Sequence, residues 1–359
     1  MKKFLILIIT ILLTSGCYDY VELNDLSIIS GISVDYKEDN YVIAYEILND
    51  QKEGQETSNK KAIIVSASGK NIAEAFNNAA KETSKKPYYA HLKTLIISEE
   101  VATKRLENLI DYFLRNTDIR SEIDTVIAKD ITAKELLESS TKNNPVVSDL
   151  IESLLKNNKY YKNNTSTAPF EEMVTDILLF GEEAEMAVIS KNNDNLSISG
   201  IGIFNGYNLK GILSAQESIT YNVLTGNVTN ASYTVACDNN YLTFGIYKSD
   251  PKVEITDSKI KIDVKASASI IESNCNYNFK DTDIYEKLNK EYAKVIEKDI
   301  YKFINKTLEL DSDILGIRRT YYIKNRIKNN DIRKMLDYKV NVDLKINKKG
   351  LIFEVENDY

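Results

Sequence analysis

Residues 26–48 read LSIISGISVDYKEDNYVIAYEIL. Two apolar runs, 26–34 and 41–48, flank the polar stretch Lys37-Glu38-Asp39-Asn40. Runs of this length, rich in β-branched and aromatic residues and separated by turn formers, predict two strands joined by a tight turn. A third strand is expected at 62–67 (AIIVSA), which makes a meander. The period then changes. Ile72, Ala75, Phe76, Ala79 and Ala80 recur at helical spacing, so 70–84 reads as an amphipathic helix that ends before Pro87.

Downstream the same rules predict a strand at 92–97, a helix at 99–115 opened by Ser98, and a strand at 123–128. Thr132 and Glu135 form a capping box. The first 140 residues are therefore a meander followed by alternating helices and strands, a mixed sheet with helices. Pro145 precedes a helix expected at 146–156, and the polar stretch 157–168 reads as a loop before a helix at 169–180. Strands are expected at 185–190 and 197–204, with Asn205-Gly206 as a type I′ turn into 208–213. A second capping box, Ser214 and Glu217, opens a helix that Gly226 can end. Residues 231–272 read as an antiparallel meander with strands near 231–237, 241–248, 252–257 and 259–271. The longest helix is expected at 283–309, with Ile284, Leu288, Tyr292, Val295, Ile296, Phe303, Ile304 and Leu308 on one stripe. A short helix near 313–325 and two strands, 338–346 and 350–355, complete the chain.

The amino terminus bears on the compartment. Lys2 and Lys3 precede a ten-residue apolar run, Phe4 to Leu13, and then Thr14, Ser15, Gly16 and Cys17. The run is shorter than the roughly 20 residues a spanning helix needs and suits a secretory signal. The segment resembles a bacterial lipobox, with Leu13 one residue earlier than the usual position. On that reading residues 1–16 are a signal peptide that is removed. Cys17 is the lipid attachment site, carrying a diacylglycerol and an N-linked acyl chain such as palmitate. Two or more chains suffice for stable anchoring where one does not. Removing Lys2 and Lys3 deepens the formal charge from −7 to −9. An acidic body beside an anionic bilayer argues for attachment through acyl chains and protein partners, not through basic-patch electrostatics.

Composition narrows the chemistry. A hydrophobic content of 43% supplies real cores and excludes general disorder. An acidic chain of pI 5.2 is not a dedicated nucleic-acid binder, because phosphate contacts need clustered positive charge. His91 is the single imidazole, so a triad would have to use it; no G-x-S-x-G elbow exists, and His91 reads as a satisfied or surface residue rather than a catalytic one. Glu182, Glu183 and Glu185 read as a solvated charge run, because their spacing specifies no glycosidase geometry. Asp311, Ser312 and Asp313 lack the remaining ligands of a calcium loop and read as a helix N-cap. Gly200-Ile201-Gly202 lacks the third glycine and the helix of a dinucleotide site. No catalytic, cofactor-binding or metal-ligating residues are expected. Cys237 and Cys275 flank the second meander, which brings a disulfide within reach without requiring one.

Four stretches together resemble the Ger(x)C family of spore germination lipoproteins. They are Cys17 to Leu26 (CYDYVELNDL) with Gly31 to Asp35, then Ser68 to Ala75, then His91 to Glu100 with Tyr112 to Asn116, and finally Gly200 to Leu213. Asp313 to Gly316 is a weaker echo. Tyr18, Ser33 and Gly202 depart from the family's usual residues. The resemblance implies a non-enzymatic C subunit of a nutrient germinant receptor. It would be lipid-anchored on the outer face of the spore inner membrane, with a polytopic subunit and a second membrane subunit as partners. The expected fold is α+β: several mixed sheets with antiparallel meanders and one long C-terminal helix. The expected division is an N-terminal mixed α/β domain over 17–195 and a C-terminal α+β domain over 196–359, with the boundary in the polar run 191–195. The alternative is a solute-binding lipoprotein of an uptake system.

Overall fold

The computed structural model describes residues 22–49, 61–141, 144–161, 169–193, 195–237, 239–279 and 281–348. Cys17, the leader before it and the strand expected at 350–355 lie outside the described residues.

β1 (Leu26–Lys37) and β2 (Asn40–Asn49) pair antiparallel, and Glu38 and Asp39 make their turn at φ 51° and 59°. β3 (Lys61–Gly69) joins β2, and α1 (Ile72–Lys81) packs Ile72, Ala75, Phe76 and Ala79 onto the sheet. Pro87 lies in a short strand, β4 (Lys86–Tyr88), parallel to the start of β1. β5 (Thr94–Ser98), β6 (Asp124–Lys129) and β7 (Glu185–Asn192) then run parallel to β1 in succession. β8 (Asn195–Asn205) and β9 (Asn208–Leu213) finish the sheet as antiparallel strands, in the order β3-β2-β1-β5-β6-β7-β8-β9.

The helix expected at 99–115 is two helices, α2 (Glu99–Lys104) and α3 (Leu106–Arg115). Arg105 breaks it at φ −136°, with its guanidinium 3.5 Å from the centre of the Tyr36 ring. α4 (Ala133–Leu137) keeps its capping box, and α5 (Val147–Tyr161) extends through 157–161, where a loop was expected. α6 (Phe170–Leu178) precedes β7.

Alternation along the parallel strands feeds two cores. Ile97 and Ile127 face Phe76, Leu109, Phe113 and Met173 from α1, α3 and α6. Ile96, Val126 and Ala128 face Leu136, Leu137, Val147 and Ile151 from α4 and α5.

The polar run at the expected boundary is the β7–β8 hairpin turn, with Asn193 at φ 54°, and Asp194 is not among the described residues. The next hairpin turns one residue later than the sequence pattern suggests. Asn205 pairs with Asn208, and of the loop residues Gly206 and Tyr207 only Gly206 takes positive φ, 54°. β8 and β9 serve two cores: Phe204 and Leu209 join the first sheet's core, while Ile201, Ile203 and Leu213 join that of the second unit.

α7 (Ala215–Thr225) starts at its Ser214/Glu217 box and stops at Gly226, φ 79°. The second sheet runs β10 (Ala231–Cys237), β11 (Asn240–Ile255), β12 (Lys259–Ser273) and β13 (Asp337–Lys348). Two expected strands, 241–248 and 252–257, are the single strand β11. Pro251 sits inside it without breaking it, because β10 stops pairing at Ile246 and leaves that part of β11 an edge. Long α8 (Thr282–Glu309) buries Leu288, Tyr292, Ile296 and Phe303 against this sheet, and α9 (Ile317–Asn325) and α10 (Ile332–Met335) follow. The crossover through these helices makes β13 parallel to β12.

Cys237 and Cys275 are bonded, with Cα atoms 6.0 Å apart. The β10–β11 hairpin places Cys237 opposite Asn240, and Asn274 N–H donates to Tyr241 O. The pairing register therefore brings the two cysteines together.

Candidate functional site

Two polar assemblies stand out, one between the units and one at an end of the first sheet. The first contradicts the reading of Glu182, Glu183 and Glu185 as a solvated run. Glu183 is buried and bonded to the guanidinium of Arg318, which opens α9. Arg318 Nε also reaches Asp313 Oδ2 at 3.2 Å, and Arg333 Nε lies 3.2 Å from Asp313 Oδ1. Glu183 Oε2 accepts the Gly206 N–H at 2.6 Å, and Arg333 Nη2 donates to Thr307 at 2.9 Å.

Asp313 does the N-cap work expected of the 311–313 stretch, from outside the helix. Its carboxylate accepts the N–H groups of Ile317 at 3.1 Å and Arg318 at 2.7 Å. Ser312 donates to Phe204 O at 2.6 Å, and Asn205 Nδ2 donates to Asp311 O at 2.6 Å. Gly181 allows the approach, because a Cβ there would sit 2.4 Å from the Arg319 nitrogen.

Burial pushes the carboxyls of Glu183 and Asp313 above their ordinary range, against the pull of the arginines and backbone donors. Each of their four carboxylate oxygens has a donor. Two acids face two arginines, so the array is balanced. It can hold the β8–β9 hairpin against the C-terminal helices. It offers no free base or nucleophile.

The second assembly is an open cleft of about 770 Å³ at the carboxyl ends of β1, β5 and β6. Ligands of open α/β sheets commonly bind at such ends. Here Asp35, Glu99 and Glu135 are engaged. Asp35 accepts the N–H groups of Ala133 and Lys134 at 2.7 and 2.8 Å and caps α4 from β1. Glu99 accepts Asp130 N–H at 3.1 Å, and Glu135 returns to Thr132. Burial raises the Asp35 carboxyl.

Glu46 repeats the device on the buried side. It is fully buried on β2 and accepts from Ser30 Oγ at 2.9 Å and from the N–H groups of Val147 and Ser148 at 2.6 and 3.1 Å, which caps α5. The sequence reading passed over Glu46, although one signal was visible: a lone carboxylate inside an apolar strand must find donors.

His91 is exposed, its ring 6.0 Å from that of Tyr88. Among the described residues no cluster of His, Cys, Asp or Glu is arranged to hold a metal ion. Among the same residues no helix is long and apolar enough to cross a membrane.

Comparison with known proteins identifies the fold. Residues 19–191 match the family described as "Spore germination protein N-terminal domain", and residues 199–350 match "Spore germination B3/ GerAC like, C-terminal". The chain belongs to the Ger(x)C family.

This Ger(x)C chain is 26% identical over 354 residues to a putative spore germination protein, YfkR, of Bacillus subtilis, covering 91% of the chain and 90% of that protein. It is 22% identical to the spore germination protein GerQC of Bacillus cereus, covering 98% of the chain and 99% of the relative. The crystal structure of the GerBC protein superposes with a TM-score of 0.59 at 19% identity, over 92% of this chain and all of the other. The mixed α+β architecture is thus shared. The family-like stretches of this Ger(x)C chain fall on joints of the fold: Asp35 caps α4, Asn71 and Ser98 cap α1 and α2, and Gly200 to Leu213 is the β8–β9 hairpin.

Proposed function

We propose that this chain is a non-enzymatic, membrane-anchored lipoprotein subunit of a spore germinant receptor, needed for nutrient-triggered germination. The observation that carries the proposal is the ordered match to both germination-protein domains, over 19–191 and 199–350. Cys17 is the attachment point: its thiol receives the diacylglycerol, and residues 1–16 are then removed. The body sits on the outer face of the spore inner membrane and works with a polytopic subunit and a second membrane subunit.

A structural role for its polar groups supports the non-enzymatic reading. Glu183, Asp313, Asp35 and Glu46 each accept bonds that join one element to another. The alternative, a solute-binding lipoprotein, is disfavoured by the second unit. Such proteins pair two doubly wound parallel lobes, whereas β10, β11 and β12 form an antiparallel meander with one parallel strand added.

Deleting the gene in a spore former is expected to impair germination with a subset of nutrients and to leave vegetative solute uptake intact. The reverse pattern refutes the receptor reading. Cys17→Ala is expected to abolish lipid labelling. Normal labelling of that variant refutes the anchor.

A further inference from the structure

The chain is acidic overall, yet residues 314–336 contain seven lysines and arginines and one acid, Asp331. Arg318 and Arg333 are taken up by Glu183 and Asp313. Lys324, Arg326, Lys328 and Lys334 are exposed, with Lys334 also paired to Asp311 and Lys324 bonded to Ile255 O.

Large apolar side chains lie among these cations. Ile323 is 53% exposed, Ile327 59% and Met335 68%, and Leu178 at the end of α6 is 63% exposed. Contacts between their chain neighbours link these segments. Phe180 touches Tyr322 with ring centres 5.5 Å apart, Lys328 Nζ lies 5.0 Å from the Phe180 ring, and Asn329 contacts Met335 Sδ at 3.8 Å. Exposed aliphatic residues rimmed by long cationic stems are the composition of a surface that settles into an anionic lipid interface.

The topology gives this surface its direction. β1, β5, β6 and β7 are parallel, so all four begin on one edge of the first sheet. Leu178 to Phe180 lead into β7 at that edge, and β1 begins there at Leu26. Three strand spacings, about 15 Å, separate the two starts. Nine residues join Cys17 to Leu26, a reach of at most about 30 Å. A lipid on Cys17 and the apolar-basic surface therefore approach one bilayer together.

We propose that the surface formed by the end of α6, α9 and the segment through Met335 docks onto an anionic phospholipid bilayer, with Ile323 and Ile327 entering the interface. This extends the membrane reading above, adding a second, electrostatic contact that fixes the body's orientation. The whole-chain charge argues against basic-patch binding only until the charges are placed, because Lys324, Arg326, Lys328 and Lys334 are exposed within one short stretch.

The test uses the mature chain, residues 17–359, with Cys17→Ala, so that neither the leader nor an acyl anchor contributes. Cys237 and Cys275 are bonded to each other, so Ile327→Cys gives one site for an environment-sensitive probe. A control carries the probe at Ile63 on β3. With vesicles of phosphatidylglycerol and phosphatidylcholine, the probe at 327 is expected to move into an apolar environment and the probe at 63 to stay in water. Phosphatidylcholine alone is expected to leave both wet. Arg326→Gln with Lys328→Gln is expected to weaken that transfer on the order of 25-fold, as is high salt in part.

Equal wetting of position 327 in both vesicle types overturns the proposal. So does burial of 327 only when an acidic partner protein is added, which assigns the surface to that protein. Failure of this docking in a chain that acquires lipid normally at Cys17 leaves the anchor reading intact. Docking without acylation leaves this inference standing alone.

Discussion

The guanidinium of Arg318 bonds the carboxylate of Glu183 across the junction of the two units, 135 positions apart in the chain. Breaking a buried pair from one side leaves an uncompensated charge, which costs about 3–5 kcal/mol. Arg318→Ala is therefore expected to lower the urea midpoint strongly, because Glu183 and Asp313 both lose a donor. Glu183→Gln keeps an acceptor for Gly206 N–H and is expected to cost less. Equal midpoints for the two variants would contradict this account.

Asp176 lies on α6 near Glu172 and Glu182. Burial, and then those two acids, raise its carboxyl to about 6. A folded value above the unfolded one means the native state holds the proton more tightly, so this group's contribution to stability declines as pH rises from about 4 to about 6. Asp176→Asn is expected to stabilise the protein near neutral pH by about 1 kcal/mol, a figure reduced for solvent screening. Urea titrations at about pH 4.5 and pH 7 should show a smaller difference for the variant than for the parent.

The Cys237–Cys275 bond closes a separation of 38 residues and ties the end of β10 to the segment after β12. Constraint of the unfolded chain is worth about 2–4 kcal/mol for such loops. Cys237→Ser or Cys275→Ser is expected to lose stability in that range, and reductant should do the same to the parent. If reductant leaves the midpoint unchanged, the bond contributes nothing to the fold.

α8 covers the outer edge of β13 with side chains. Tyr301, Glu297 and Asn289 accept the N–H groups of Val340, Val342 and Ile346 at 3.1, 3.0 and 3.0 Å. The acceptors sit at multiples of four along the helix while the strand advances by two, so the helix and strand stay in step. An uncovered edge is a template for further pairing. Glu297→Ala is expected to cost about 1 kcal/mol and to speed hydrogen exchange at Val342 selectively. Unchanged exchange at Val342 would show that water replaces the carboxylate without penalty.

Local signals carried much of the fold. The Thr132/Glu135 and Ser214/Glu217 boxes and the Gly226 stop are written within one or two helical turns, the stripe of α8 along its own 28 residues, and each element forms there. Where a local rule met a tertiary contact, the contact won. Pro251 does not end its strand because its neighbouring edge is open, and 99–115 does not stay one helix because Arg105 packs on Tyr36.

The candidate site divides in the same way. The amino-terminal segment with Cys17, the scarcity of imidazole and the family-like stretches are properties of residue order, and they name the family without coordinates. That Glu183 is buried, that Asp35 and Glu46 cap helices about a hundred residues away, and that Phe180 meets Tyr322 and Lys328 depend on chain segments distant in sequence. A charge's role is set by what surrounds it, and only the folded chain supplies those surroundings.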